Sequence, residues 1–352
     1  MANRATRPVS AELIAAVQYN CDVSDARHAG DYALCSYLLK MREFYRWHAG
    51  LPFDSTLPHA DVGAFVEHRE ALWESLADAE YRPLPLHGRE LDAFAADQIN
   101  ALLLPQGLVY SAGYGRYGKP YFFLGELLDL EKSGDTRIYV SDAEYARELV
   151  AVPAMAQGQD IFIRRESLRR MLWEKVEEWR WRRRDNALAR ALGAYDFEHH
   201  AATSLERMTD EETNNVILHE IGEVVAGNLL GGQWEEMLSD VSRTSAELQV
   251  RAVRDHLADC LTSLPAMLAE QNTASIHFYF ANLSALRREL FPTLDRAYQD
   301  FALANGLAPL KRAVREGRAH WLSLSNRILE LWHECGARSA RPIERLVAES
   351  RF

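Results

Sequence analysis

The stretch Gly107–Tyr114, GLVYSAGY, decides the fold class together with three runs after it: Lys119–Leu130 (KPYFFLGELLDL), Thr136–Asp142 (TRIYVSD) and Asp160–Arg165 (DIFIRR). Each is short, rich in aromatic or β-branched residues, and bounded by Gly, Ser, Asp or Pro. That composition suits a pleated, half-buried surface. The four runs predict a small antiparallel central sheet, interrupted by a short helix over Ala143–Val150 and by a loop marked by Pro153 and Gly158.

Outward from the sheet, apolar residues recur at helical spacing in both directions. Toward the N-terminus, Ser10 opens a helix that ends near Tyr19, and Cys21–Asp25 reads as a polar turn. Helices follow over Asp25–His48, stopped by Gly50 and Pro52, then over Ala60–Ala79 and Gly88–Leu104. Asp22, Asp25, His28 and Asp31 could look like ligands near the start of the second helix, but the dipole alone favours acidic groups there. Toward the C-terminus nearly everything reads as helix: Ser167–Leu192, Ser245–Thr262, Ala274–Leu290, Thr293–Leu303, Pro309–Cys335 and a last one from Pro342. The fold class is therefore α+β and predominantly helical, with N-terminal helices, the central sheet and a C-terminal helical bundle. Two regions follow: 1–165, helices plus sheet, and 166–352, helical.

Hydrophobic residues make up 48% of the 352-residue chain and charged residues 26%, enough to build packed cores and unlike a disordered composition. Forty basic against 51 acidic residues give a formal net charge of −11, which argues against general nucleic-acid or anionic-membrane binding. No uninterrupted apolar run of about 18 residues occurs, and the N-terminus lacks the apolar core of a signal peptide. Cys21, Cys35, Cys260 and Cys335 are scattered without a CxxC pair, the pattern of reduced thiols. These features predict a cytoplasmic protein whose partner is a small molecule or another protein.

Three motifs invite function and lose it on local chemistry. Gly113–Lys119 satisfies GxGxxG and most of GxxxxGK[ST], yet Pro120 stands where a magnesium-holding hydroxyl belongs and the following residues read as strand rather than phosphate-cradling helix. It reads as a glycine hairpin. Arg180, Arg182, Arg183 and Arg184 around Trp179 and Trp181 could stack on single-stranded nucleic acid, but Glu174, Glu177 and Glu178 directly upstream make a salt-bridged face. His199 and His200 are adjacent, so their side chains diverge on a helix.

What remains is Asn214–Leu230, NNVILHEIGEVVAGNLL, preceded by a capping box, Thr209–Glu212. At helical pitch His219 and Glu223 lie within about 40° of each other, on a face shared with apolar residues. An imidazole and a carboxylate so placed can chelate one divalent cation, and Glu220, about 100° round, can act as a general base on bound water. The next helix carries Glu247, Arg251, Asp255 and Asp259 at four-residue steps, so Asp255 and Asp259 complete the expected ligand set. Mixed nitrogen and oxygen donors suit zinc, iron or manganese. The competing reading pairs these groups with Arg251, Arg287 or Arg288 in an internal polar network of a non-catalytic interaction or scaffold protein.

His219-Glu220-Ile-Gly-Glu223 resembles the HExxH helix of zincin metallopeptidases, with Glu223 where the second histidine belongs. The resemblance implies His219 as ligand and Glu220 as base, hence a metal-dependent hydrolase. The strings YNCDVSDARHAGDYALCSYLLKMREFYRW, GLVYSAGYGRYGKPYFFLGEL, VPAMAQGQDIFIRRESLRRMLWEK and ILHEIGE together resemble a family of uncharacterised bacterial proteins spanning most of the chain. That resemblance implies a bacterial cytosolic origin and one shared architecture, and no mechanism.

Overall fold

A computed structural model describes residues 9–115, 118–303 and 306–352, with Arg182 described by its backbone only. Residues 1–8, on which part of the leader-peptide reading rests, and Arg116 and Tyr117 of the glycine loop lie outside the described residues. The chain divides into two compact units, Met1–Trp173 and Glu174–Phe352. It is an α+β protein, predominantly helical.

The first unit runs α1 (Ala11–His28), α2 (Leu34–His48), α3 (His59–Leu76), β1 (Leu84–Leu86), β2 (Arg89–Leu91), α4 (Ala96–Leu103) and then β3 (Leu108–Tyr114). It continues through β4 (Pro120–Ser133), β5 (Thr136–Ala146), β6 (Ala154–Gln157) and β7 (Asp160–Arg164) into α5 (Arg165–Arg182). The five long strands form one sheet in the order β3-β4-β5-β7-β6. Its neighbours are antiparallel except for β5 and β7, which run parallel because β6 occupies the edge beyond β7. Alternation places Tyr110, Phe122 and Leu124 on one face against Leu13, Val17 and Ile99, and Val109, Phe123 and Phe162 on the other.

Three local expectations fail here, two of them because a distant partner outweighs a local preference and one because a tight turn intervenes. The polar segment Cys21–Asp25 is not a turn but the buried end of α1. Asn20 donates to Arg82 O at 2.9 Å, Asp22 accepts from Arg69 at 2.9 Å, and Asp25 accepts from Lys119 Nζ at 3.1 Å and from Leu149 N at 2.6 Å. The region expected as the helix Gly88–Leu104 opens instead as a β1–β2 hairpin, turned by His87 and Gly88 at positive φ (51° and 75°), and only Ala96–Leu103 is helical. Ala143–Ala146 belongs to β5 rather than to a helix, with Glu144 drawn against Arg164.

The second unit contains α6 (Ala187–Leu192), α7 (Ala201–Leu230), α8 (Gln233–Asp240), α9 (Ser245–Leu261), α10 (Ser263–Glu270) and α11 (Thr273–Asn282). It closes with α12 (Ala285–Leu290), α13 (Pro292–Ala302), α14 (Ala308–Cys335) and α15 (Ala340–Glu349). Two expected helices are broken. Asn186 caps a new start at α6 by accepting from Ala189 N at 3.0 Å, and Ser284 does the same for α12 from Arg287 N at 3.3 Å. Thr209–Glu212 is not a capping box: α7 starts eight residues earlier, at Ala201. The Thr209 hydroxyl donates back to Leu205 O at 2.7 Å, and Glu212 accepts from Ser275 Oγ at 2.7 Å. One apolar core runs through the unit, from Ala226 and Trp234 through Val253 and Leu257 to Trp321 and Ile328.

Candidate functional site

The site forms where α7 crosses α9. Gly222 makes the crossing close: a β-carbon there would stand 2.6 Å from Ala258 O and would also strike Thr262 Oγ1. Thr262 Oγ1 donates to Leu218 O at 2.6 Å, so the helices are also joined by a side chain. This approach brings His219 onto Asp259, with Nδ1 at 2.7 Å from Oδ1. The other ring nitrogen, Nε2, faces Glu223 Oε1 at 3.4 Å. His219 therefore bridges two carboxylates.

Each carboxylate is held again from behind. Asp259 accepts from Tyr279 at 2.8 Å, from Ser263 at 3.1 Å, and from Arg287, which also reaches the Tyr279 hydroxyl. Glu223 accepts from Arg254 at 2.9 Å, and Arg254 in turn pairs with the exposed Glu235 at 3.3 Å. Deeper in the seam His256 faces Arg287 O at 3.0 Å and stacks on Trp321 at 4.8 Å between ring centres.

The charges follow from this arrangement. Burial alone would raise the Asp259 pKa, but Arg287 and His219 outweigh it and hold the carboxylate far below its ordinary range. Burial would lower that of His219, yet Asp259 and Glu223 hold the ring protonated well above its usual value. Glu223 is likewise lowered, the His219 hydrogen bond and Arg254 overcoming burial. His256 goes the other way: burial and the Arg287 charge leave it neutral, so Nε2–H donates to Arg287 O.

Glu220 and Asp255 differ from their neighbours, since neither makes a hydrogen bond or ion pair with a described residue. Burial, reinforced by Glu223, pushes Glu220 up to about 7, and burial raises Asp255 against the opposing pull of Arg287.

Of the expected ligand set, the structure thus joins His219 to Asp259 by a hydrogen bond and to Glu223 by an ion pair, with the two carboxylates on opposite nitrogens of one ring. Among the described residues no three His, Cys, Asp or Glu side chains are grouped so as to hold a metal ion. Of the three arginines expected to pair, Arg287 does so, while Arg251 is taken by Glu247 at 3.0 Å and Arg288 by Asp295 at 2.7 Å. Arg254, Tyr279 and His256 had no local signal; Tyr279 lies in the aromatic run IHFYF, which reads as core.

The other motifs also find internal partners. The glycine loop joins β3 to β4, with Gly115 N on Lys119 O at 2.8 Å, and Lys119 turns inward to Asp25. Arg180 donates to Phe197 O at 2.7 Å, Arg183 pairs with Glu198 at 3.1 Å, and His199 and His200 share Asp196 at 2.9 Å each. A second buried network, absent from the reading of the sequence, centres on Arg164: Glu144 takes two of its donors at 3.0 Å, Glu148 a third at 3.2 Å, and Phe123 stacks beneath at 4.5 Å. No described helix is long and apolar enough to cross a membrane.

Fold and site define a two-domain α+β protein with a polar seam inside its helical domain. The chain belongs to a family of unknown function (DUF6866), whose N-terminal domain matches residues 12–164 and whose C-terminal domain matches residues 169–350. No curated protein and no solved structure matches it.

Proposed function

We propose that the His219 network is an internal polar support of the helical domain and that the chain is a non-catalytic interaction or scaffold protein. The observation that carries this reading is that both ring nitrogens of His219 are engaged by carboxylates, each fixed by an arginine. A metal ion at Nε2 would have to displace the proton shared with Glu223 and compete with Arg254 for the Glu223 carboxylate. A cytoplasmic location is part of the proposal, supported by four cysteines that all stand unpaired.

A second reading, a divalent-metal-dependent enzyme of hydrolase type, is favoured by a different observation. Nδ1 of His219 is held by Asp259 in the way a carboxylate behind a metal-bound histidine fixes the orientation of its ring, and Nε2 lies beside Glu223. Glu220 and Asp255, lacking partners, would supply a base and a further ligand for zinc, iron or manganese, and Asp259 would orient rather than coordinate.

Elemental analysis of the native protein and of the His219→Ala and Glu223→Ala variants separates the two. The first reading expects well under one equivalent of zinc, iron or manganese in all three. One equivalent in the native protein that both substitutions remove would overturn it in favour of the second.

A further inference from the structure

Away from the seam, the helical domain holds a cavity of about 390 Å³ lined by three cationic residues from three helices: Lys175 of α5, Arg190 of α6 and Arg288 of α12. Its acidic lining residues are Glu178 and Asp185, so the lining is net positive in a chain of net charge −11. Both acids sit at the rim, their side chains 55% and 85% exposed, and hold Lys175 and Arg190 at 3.2 Å each. Exposed pairs of that kind are weak and easily exchanged for another anion.

The two arginines are placed in advance. Arg288 is anchored by Asp295 at 2.7 Å, by Leu283 O at 3.2 Å and by Phe280 O, which occupies three of its five donors and fixes the plane of the guanidinium. Arg190 reaches the hydroxyl of Tyr298, another lining residue, and that hydroxyl lies 3.0 Å from His277 Nδ1 beneath. Neither arginine need be ordered when an anion arrives, which lowers the cost of binding.

We infer that this cavity binds a small phosphomonoester, the phosphate meeting Lys175, Arg190 and Arg288 in place of the rim carboxylates. Three cationic side chains lining one cavity suit a phosphate, with its higher charge and larger number of acceptor oxygens, better than a single carboxylate. A volume of about 390 Å³ exceeds what phosphate fills and leaves room for a small organic remainder, within the range of ligand cavities.

Calorimetric titration of the full chain with inorganic phosphate and with glycerol 3-phosphate, at matched ionic strength, tests this. Saturable one-to-one binding is expected, tighter for glycerol 3-phosphate. Arg190→Gln should weaken it at least about tenfold, as loss of a charged hydrogen bond does. Asp185→Asn removes the competing carboxylate and should tighten it by about threefold. Arg315→Gln, the same charge change on an exposed residue of α14, should leave it unchanged. If Arg190→Gln fails to fold, Lys175→Gln carries the same expectation, at about fivefold. Absence of saturable binding, or equal weakening by Arg190→Gln and Arg315→Gln, would overturn the inference.

Discussion

His219 and Glu220 are neighbours in sequence with opposite electrostatic roles, and single substitutions distinguish them. Removing the His219 ring deprives two carboxylates of a charged donor, but Asp259 keeps Arg287, Tyr279 and Ser263, and Glu223 keeps Arg254. Hydrogen bonds to charged groups contribute about 1.5–3 kcal/mol each, so His219→Ala should destabilise the protein by about 2–4 kcal/mol in urea unfolding near neutral pH. Asp259→Asn should cost at least as much, since it leaves Arg287 and His219 facing a neutral amide. Glu220 has no cation bound to it, and burial raises its pKa to about 7. Glu220→Gln should therefore be nearly neutral at pH 6 and stabilising at pH 8.5, where the native carboxylate is charged and still buried. A Glu220→Gln variant that loses stability relative to the native chain as pH rises would contradict this assignment.

Between elements, the decisive contact is the α7–α9 crossing at Gly222. Its added β-carbon in Gly222→Ala meets backbone, Ala258 O at 2.6 Å, which cannot turn away as a flexible side chain would. The helices must separate, at a cost of about 1–3 kcal/mol typical of overpacking, and the His219–Asp259 hydrogen bond should lengthen with them. Gly227, on the same helix, has nothing within 4 Å of a β-carbon, so Gly227→Ala should stabilise by up to about 1 kcal/mol through helix propensity. Thermal melts of the two variants, with the His219 ring resonances as a local reporter, check the contrast; equal effects would remove the crossing as the cause. The HEIGE segment could be read for its histidine and glutamates, but nothing in its spacing shows that its glycine is required by a helix from elsewhere. The same limit explains the misplaced turn and cap. Asp22, Asp25 and Glu212 look like local capping groups, while their partners Arg69, Lys119 and Ser275 lie 47, 94 and 63 residues away. The helices α9, α13 and α14, each set by an apolar face, were legible to within a residue or two, whereas α2, α5 and α7 were misplaced at one end by eight residues or more. The runs that became β3 and β7 were legible too, but β5 extends four residues further than expected, β6 lies in the expected loop between Pro153 and Gly158, and the parallel pairing of β5 with β7 had no local signal. In the site, spacing alone singled out His219, Glu223 and Asp259; the counter-charges Arg254 and Arg287 became assignable only through contacts across helices.

For the whole molecule these buried groups set a pH dependence whose sign can be worked out. Glu212 and Glu220 are each pushed by burial from 4.5 up to about 7, and Asp25 in the other domain from 3.8 up to about 6. Each binds a proton more tightly folded than unfolded, so its contribution is fully present below the unfolded pKa and is lost as pH rises through the folded value. His219, held well above its ordinary 6.5, acts in the same direction at higher pH. Asp259 and Glu223, lowered by Arg287, His219 and Arg254, act oppositely: their contribution is present above about pH 4.5 and is lost as pH falls through their folded values. Stability should therefore peak near pH 5 and fall toward pH 8. The rise from 4.5 to about 7 bounds the loss at roughly 3 kcal/mol for each of Glu212 and Glu220. Self-repulsion in a chain of net charge −11 adds to the same slope, so the buried carboxyls must be separated from it. Replacing both by glutamine does this: Glu212→Gln with Glu220→Gln should flatten the urea midpoint between pH 5.5 and 8. Two exposed substitutions of the same charge change, Glu236→Gln with Glu349→Gln, should leave the slope in place. A native midpoint that rises across this interval, or a double variant that tracks the native profile, would show that the α7 carboxyls are ionised and paired in the folded chain.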